Sequence, residues 1–393
     1  MSGALDGLKI LDLSRILAGP TCTQLLGDLG AEIIKVENPK TGGDDTRSWG
    51  PPFVTGPDGQ PTDMSAYFMC ANRNKKSVTL DIGTKEGQAV IKHLAAKCDV
   101  VIENFKPGAL KKFGLDHETM LRDFPHLVYC SISGFGQTGP NAQKPGYDLM
   151  AQGYGGIMSL TGAPDGEPMK VAVGIADVMC GMYAATGILA ALRHRDRTGE
   201  GQHIDIALVD SQIAWLINEG VNYLTSGERP QRRGNGHPNI APYQVFESSD
   251  GHVIVAVGND SQFSRFAEWL DLADLADNPQ YATNPARLEN RAVLTSVVQE
   301  RLKRLSTGTV IEGLEKLGVP VGPVHRLDQV FSTDQVAARE MKISMDTERS
   351  NKGHVELIGN PLKLSRTPVS YRLPPPAVGQ HNEEIFGLPD ETE

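Results

Sequence analysis

The sequence of 393 residues is short of cysteine, of tryptophan and of cationic side chains relative to acidic ones, and each shortage removes a class of explanation. Its five cysteines, Cys22, Cys70, Cys98, Cys130 and Cys180, are odd in number, widely spaced and form no C-x-x-C pair. That excludes a disulfide scaffold or zinc ribbon and leads us to expect a reducing, cytoplasmic setting. The ten histidines show no H-E-x-x-H or similar spacing, so no metal is expected. G-x-S-x-G and P-loop patterns are also missing, which removes the commonest signatures of serine hydrolases and nucleotide hydrolases. Thirty-eight basic against 48 acidic side chains give a formal charge of -10, and no nucleic-acid partner is expected. The most apolar stretch, "GIADVMCGMYAATGILAAL" at 174–192, is broken by Asp177 and by glycines. No bilayer-spanning run, and hence no membrane partner, is expected. The opening "MSGALDGLKILDLS" lacks a basic n-region and cleavage pattern, so no targeting signal is expected.

What is present describes a globular protein: 39% hydrophobic residues, 42 glycines and enough length for two domains. Short apolar runs, "LKILDLS", "EIIKVEN", "SVTLDI", "DVVIENF" and "LVYCSIS", alternate with helical patterns such as "KEGQAVIKHLAAKC". That alternation predicts an α/β fold with a parallel sheet covered on both faces, Rossmann-like from Leu8 to about Thr198. After "HIDIALVD" one long helix is expected through "SQIAWLINEGVNYL", then a break at "SGERPQRRGNGHPN". A hairpin turning at Asp250-Gly251 and further helices suggest a smaller α+β domain. The expected layout is a large domain over 1–225, a small one over 226–325 and a mostly extended segment over 326–393.

Asp177 is the conspicuous residue. From Val178 to Leu192 every side of the predicted helix is apolar or small, which marks a buried helix ending in Arg193, His194 and Arg195. Asp177 stands at its entrance. It reads equally well as an N-cap and, kept ionised by the helix terminus, as a poorly hydrated carboxylate nucleophile.

Three other stretches carry chemistry. Arg73, Lys75 and Lys76, and Lys106, Lys111 and Lys112, form basic islands at predicted strand ends, where open α/β sheets bind ligands; a phosphorylated ligand would need them. "GFGQTG" at 134–139 matches G-x-G-x-x-G but is followed by Pro140 and "NAQKPG" instead of a helix, which argues against a dinucleotide site. "GDDTRSWGPPF" at 43–53 reads as a loop ordered by Asp–Arg pairing, or as one offering Arg47 to a substrate carboxylate.

Taken together, "LKILDLSRILAGP", "GAEIIKVENP", "GDDTRSWGPPF", "NRNKKSVTLD", "DVVIENFKPGAL", "GFGQTGP", "GYDLMAQGYGGIMSLTG", "GIADVMCGMYA", "RTGEGQHIDIAL" and "GQHNEEI" resemble, in order and spacing, the class III CoA-transferases, the group of formyl-CoA transferase and carnitine CoA-transferase. The resemblance runs nearly end to end. It implies a Rossmann-like large domain, a small domain, a C-terminal segment returning to the large one, and an interlocked homodimer. It places the catalytic aspartate at Asp177 and contacts to coenzyme A at Asn38, Asn74, Lys75, Asn104 and Lys112, with Asn38 and Lys112 standing where some members carry arginine. "GNGH", with Gly234, Gly236 and His237, resembles the family's glycine-rich active-site loop. Coenzyme A and acyl-CoA are then substrates, and no tightly bound cofactor is implied.

The implied chemistry needs only one carboxylate, which passes through an acyl anhydride and an aspartyl-CoA thioester shielded from water. A racemase-like member of the same family would carry "GHD" where this chain has "GYD". Tyr147 replaces that histidine, and a phenol of ordinary pKa near 10 is a poor proton shuttle at neutrality. A non-catalytic CoA-binding scaffold is the remaining alternative, and Asp177 with the basic islands argues against it. "GDDTRSWGPPF" with "NRNKKS" looks closest to the succinyl-CoA:glutarate members acting on short dicarboxylates. Arg15 and Arg47 are the candidates for the distal carboxylate, and Leu17 stands where formyl-CoA transferase has glutamine.

Overall fold

A computed structural model of the protein describes residues 3–387. The chain forms two compact units: the larger comprises the chain up to Ile157, Lys170–Ile217 and the chain from Asp334 onward, the smaller Met158–Met169 and Asn218–Thr333. The observed divisions thus fall at 217/218 and 333/334, with residues 158–169 added to the smaller unit.

The first eight strands are β1 (Lys9–Asp12), β2 (Glu32–Glu37), β3 (Phe53–Thr55), β4 (Pro61–Ser65), β5 (Lys75–Thr79), β6 (Val100–Glu103), β7 (Val128–Ser133) and β8 (His203–Ala207). Six of them make one sheet in the order β5-β2-β1-β6-β7-β8, every pair parallel. This is the strand order of a doubly wound sheet, with its reversal between β1 and β6. The period-two alternation explains why both faces are covered. Ile10, Ile33, Val100 and Ile102 face a core shared with Cys22, Leu26, Cys180 and Ile188, whereas Leu11, Ile34 and Val101 face one shared with Ile91, Leu94 and Met120. Strands β3 and β4 form a separate antiparallel hairpin that begins at the last residue of "GDDTRSWGPPF".

The helix predicted over 178–192 extends from Ile175 to Thr198. Its C-terminus closes with Gly199 at φ 78, and Arg195 and Arg197 lie in the last turn, where cations oppose the dipole. By length and composition this helix is apolar enough to cross a membrane, contrary to the expectation that no stretch would be. The composition has a local cause: Ala176, Cys180, Ala184 and Ile188 are fully buried in the core of the larger unit. Gly181 lets it approach the Ala18–Asp28 helix so closely that an added Cβ would lie 2.5 Å from the Ala18 carbonyl oxygen.

The single helix expected after β8 is instead two, Leu208–Ala214 and Ile217–Ser226. Ile217 takes φ 30, a conformation that a β-branched residue cannot carry through a helix.

In the smaller unit, β9 (Tyr243–Glu247) and β10 (His252–Ala256) form the expected hairpin, and β11 (Val321–Pro323) adds to β10 antiparallel. Phe246, Val253, Val255, Phe263 and Leu314 are among its core residues. The last two strands, β12 (Lys342–Asp346) and β13 (His354–Ile358), pair antiparallel in the larger unit.

Candidate active site

At the reversal point of a doubly wound sheet the chain leaves adjacent strands in opposite directions and opens a crevice at their C-terminal ends. Here the crevice is a cleft of about 440 Å³ between the segments that follow β1, β6 and β7. Arg15 and Ile16 come from the first, Asn104 and Lys106 from the second, Ser133 and Gly134 from the third. Asp45, Trp49, Lys144, Tyr147 and Asp177 also line it.

Asp177 lies in the first turn of its helix, whose N-cap is Gly174, so it is not the N-cap residue. That place in the hydrogen bonding is taken by Asp148, whose Oδ1 accepts the Ala176 N–H at 2.8 Å. The Asp177 side chain is buried, with 8% of the residue exposed, and no side chain or peptide N–H among the described residues bonds to its carboxylate. The sequence reading expected the helix terminus to keep it ionised. Instead, burial first and the Asp148 charge second push its carboxyl up to about 7. The same Asp177 charge, after burial, helps push the Tyr67 phenol up to about 12. Tyr67 also meets Trp49 edge to face at 5.1 Å. A buried carboxylate without donors is poorly stabilised as an anion and correspondingly reactive.

Of the residues expected from sequence, the cleft gathers Asp177, Arg15, Asn104, Lys106 and Tyr147. Asn104 clamps the Arg15 peptide from both sides, accepting its N–H at 2.9 Å and donating to its carbonyl at 2.6 Å. The Arg15 guanidinium donates to Asp45 at 2.7 Å, and both side chains are more than 40% exposed. Tyr147 is 61% exposed.

Other expected residues have internal partners. Arg47 is 4% exposed; its fork grips Glu37 at 2.8 and 2.7 Å, donates to the Pro376 carbonyl and lies 3.7 Å over the Phe68 ring. Its fork is thus taken up by internal partners, as in the loop-ordering reading, and it does not line the Asp177 cleft. Asn74, at φ 59, donates to Asp28 and to the Ser370 carbonyl and accepts the Arg372 and Leu373 N–H groups. Lys75 is fully buried, donating to Asp12, Asn72 and the Pro20 carbonyl, and burial pushes its ammonium down to about 8. The side chains of Asn74 and Lys75 are therefore engaged by internal partners, and neither lines the Asp177 cleft. Asn38 is exposed and accepts the Lys40 N–H at 2.9 Å, and the exposed Lys112 ammonium lies 4.7 Å from the Phe113 ring centroid.

Gly234, Gly236 and His237 belong to the smaller unit, and the lining of the cleft comes from the larger unit alone. Within the smaller unit Gly234, at φ 59, donates to the Gly162 carbonyl, and His237 stacks on Tyr243 at 5.0 Å. "GFGQTG" opens no helix; the Gln137 N–H is met by both oxygens of Asp205, at 3.1 and 2.9 Å.

Sequence reasoning passed over Asp148, Tyr67 and Lys144. Asp148 follows Tyr147 directly in "GYD", and Lys144 stands in "NAQKPG", so both were within quoted motifs. Among the described residues no group of three His, Cys, Asp or Glu side chains is arranged to hold a metal ion.

Comparison with known proteins agrees with this geometry. The family model for CoA-transferase family III matches residues 5–382. A succinate–glutarate CoA-transferase of Agrobacterium fabrum is 45% identical over 97% of this chain and 94% of that protein. A human succinyl-CoA:glutarate CoA-transferase is 42% identical over 97% of this chain and 85% of that protein. The crystal structure of a CAIB/BAIF family protein from Brucella suis superposes with a TM-score of 0.87 at 47% identity, covering 98% of this chain and 99% of that one. With a doubly wound sheet, a carboxylate at its crevice and this likeness across nearly the whole length, the chain belongs to CoA-transferase family III.

Proposed function

We propose that this enzyme moves CoA from succinyl-CoA to a short dicarboxylate such as glutarate, with Asp177 as the nucleophile. The observation that carries the reading is the Asp177 carboxylate itself, buried without donors in a cleft whose wall also holds Lys106, Lys144 and Arg15. The names of the relatives supply the substrate class.

In the proposed cycle an Asp177 oxygen attacks the thioester carbon of succinyl-CoA. The C–S bond breaks, CoA thiolate leaves, and a succinyl–aspartyl anhydride remains. The thiolate attacks the aspartyl carbonyl carbon and expels succinate, leaving an aspartyl-CoA thioester. A glutarate oxygen then attacks that carbon and releases thiolate, which attacks the glutaryl carbonyl and restores the Asp177 carboxylate. No net proton is taken up or released, so no general acid is required. Thioester free energy is conserved while water is kept from the anhydrides. Lys106 and Lys144, both exposed, suit the CoA phosphates as point charges, and the Arg15 guanidinium suits the distal carboxylate.

An interlocked homodimer accompanies this reading. Met182, Tyr183 and Leu189 on the long helix, with Ile213 and Trp215, are each 38–48% exposed. Such an apolar set calls for a covering surface, and a second copy supplies one. Light scattering of the purified chain is expected to give twice the chain mass; a monomer at micromolar concentration contradicts it.

The test of function is incubation with succinyl-CoA and a panel of carboxylic acids, read by the mass of the CoA products, with hydroxylamine or borohydride trapping of Asp177. Glutaryl-CoA and modification confined to Asp177 are expected. Transfer to monocarboxylates while glutarate fails overturns the substrate assignment.

A further inference from the structure

Ile16 lines the cleft with φ 73, in the left-handed region that is strained for a β-branched residue. What holds it there is a nearly complete set of bonds to the peptide groups around it. The Ser14 N–H donates to Asp12 at 2.9 Å, the Arg15 N–H to Asn104 and the Ile16 N–H to Asp44 Oδ1 at 3.3 Å. The Ser14 carbonyl accepts from Lys35 Nζ at 2.9 Å.

Lys35 is the member common to two segments. It projects from β2, is 0% exposed, and donates also to Asp44 Oδ2 at 2.8 Å. Asp44 in turn accepts the Thr46 N–H at 3.0 Å and the Thr46 hydroxyl at 2.8 Å, which starts the turn carrying Asp45 and Trp49 into the same cleft. Burial works against the ammonium, but Asp44, Asp12 and Glu37 outweigh it, so Lys35 stays charged. A buried ion pair is a poor source of stability compared with apolar residues of the same volume, which leaves its geometry as its use.

We propose that Lys35 is a positioning residue: its one ammonium joins the Ser14–Leu17 and Asp44–Trp49 segments and thereby fixes the wall of the Asp177 cleft without touching substrate. The effect on turnover rests on the transferase reading given above; the effect on the two segments does not.

The test compares Lys35→Met with the double variant Lys35→Met/Asp44→Asn. The single change leaves Asp44 buried without its cation and can fail to fold, whereas the double variant is neutral and keeps an acceptor for Ile16 and Thr46. The double variant is expected to fold yet to lose about 100-fold in kcat, as misplacement near 1 Å does. KM for succinyl-CoA should rise by much less than kcat falls, because Lys106 and Lys144 hang on segments that Lys35 does not hold, although Arg15 hangs on one that it does. Hydrogen exchange should quicken in peptides covering 13–18 and 43–50 and remain unchanged over 176–190. Recovery of kcat to within about threefold of wild type in the double variant would show a charge-balance role only and overturn the proposal; so would unchanged exchange in both segments. If the wild-type protein transfers no CoA to any dicarboxylate, the transferase reading fails alone, and exchange still decides the role of Lys35.

Discussion

Asp148 and Ala176 stand 28 positions apart, yet the Asp148 carboxylate accepts the Ala176 N–H at 2.8 Å and so starts the helix that carries Asp177. One carboxylate thus takes up a helix-terminal donor beside the other. Asp177 receives the repulsion of Asp148 and none of the hydrogen bonding, and its carboxyl is pushed up to about 7.

A pH dependence follows from that shift. The ionised carboxylate is the attacking form, so activity is lost as pH falls through about 7. We expect kcat/KM for succinyl-CoA to fall about tenfold per pH unit below that point and to level off above it. A profile flat between pH 5 and 8 contradicts a raised Asp177.

Replacing Asp148 with Asn keeps an oxygen for the Ala176 N–H and removes the charge. The rising limb should move to lower pH, though only in part, because burial is the larger cause. The check is the fraction of its own plateau that each enzyme keeps at pH 5.5; Asp148→Asn should keep more. An unmoved limb would mean that Asp148 acts only on helix geometry.

Asp177→Asn should abolish transfer and stabilise the fold at high pH. A carboxyl that titrates higher when folded favours the folded state at low pH and loses that advantage as pH rises from about 3.8 to about 7. At pH 8 the variant should be more stable by on the order of 2–4 kcal/mol, with the gap closing near pH 3.5. Urea unfolding at the two pH values measures this, and a variant less stable than wild type at pH 8 refutes it.

Arg47→Met leaves Glu37 buried without its cation and should cost the larger unit about 3–5 kcal/mol. Arg47→Lys should recover little, since a point charge cannot replace a two-pronged grip. Full stability of either variant in urea would mean that the pair is not held as described.

Arg15→Met should raise KM for a dicarboxylate acceptor roughly 10- to 100-fold, the worth of a charge-assisted hydrogen bond, and leave KM for a monocarboxylate acceptor nearly unchanged. Equal shifts for both acceptors would move the distal-carboxylate role elsewhere.

The sheet was legible because its strands obey simple alternation and its helices carry regular apolar faces; Ile10 beside Leu11 and Val100 beside Val101 already assign two opposite faces. Asp177 was legible because one acid in an apolar helix is conspicuous. Its environment was not. The Asp148 contact joins residues 28 apart, and no local pattern reports which carboxylate reaches a helix end first. The internal partners of Arg47 and Lys75 were hidden for the opposite reason. Cations near a ligand crevice look available, and only the fold reveals that Glu37 and Asp12 lie beneath them. The Ile217 break escaped notice because its flanks keep helical periodicity across it.

The absent Cβ at Gly181 has one more consequence. Because that helix presses on the Ala18 backbone, the reacting acid and the chain leaving β1 are seated on a common frame. Even one methyl group added at 181 would be felt at both places at once.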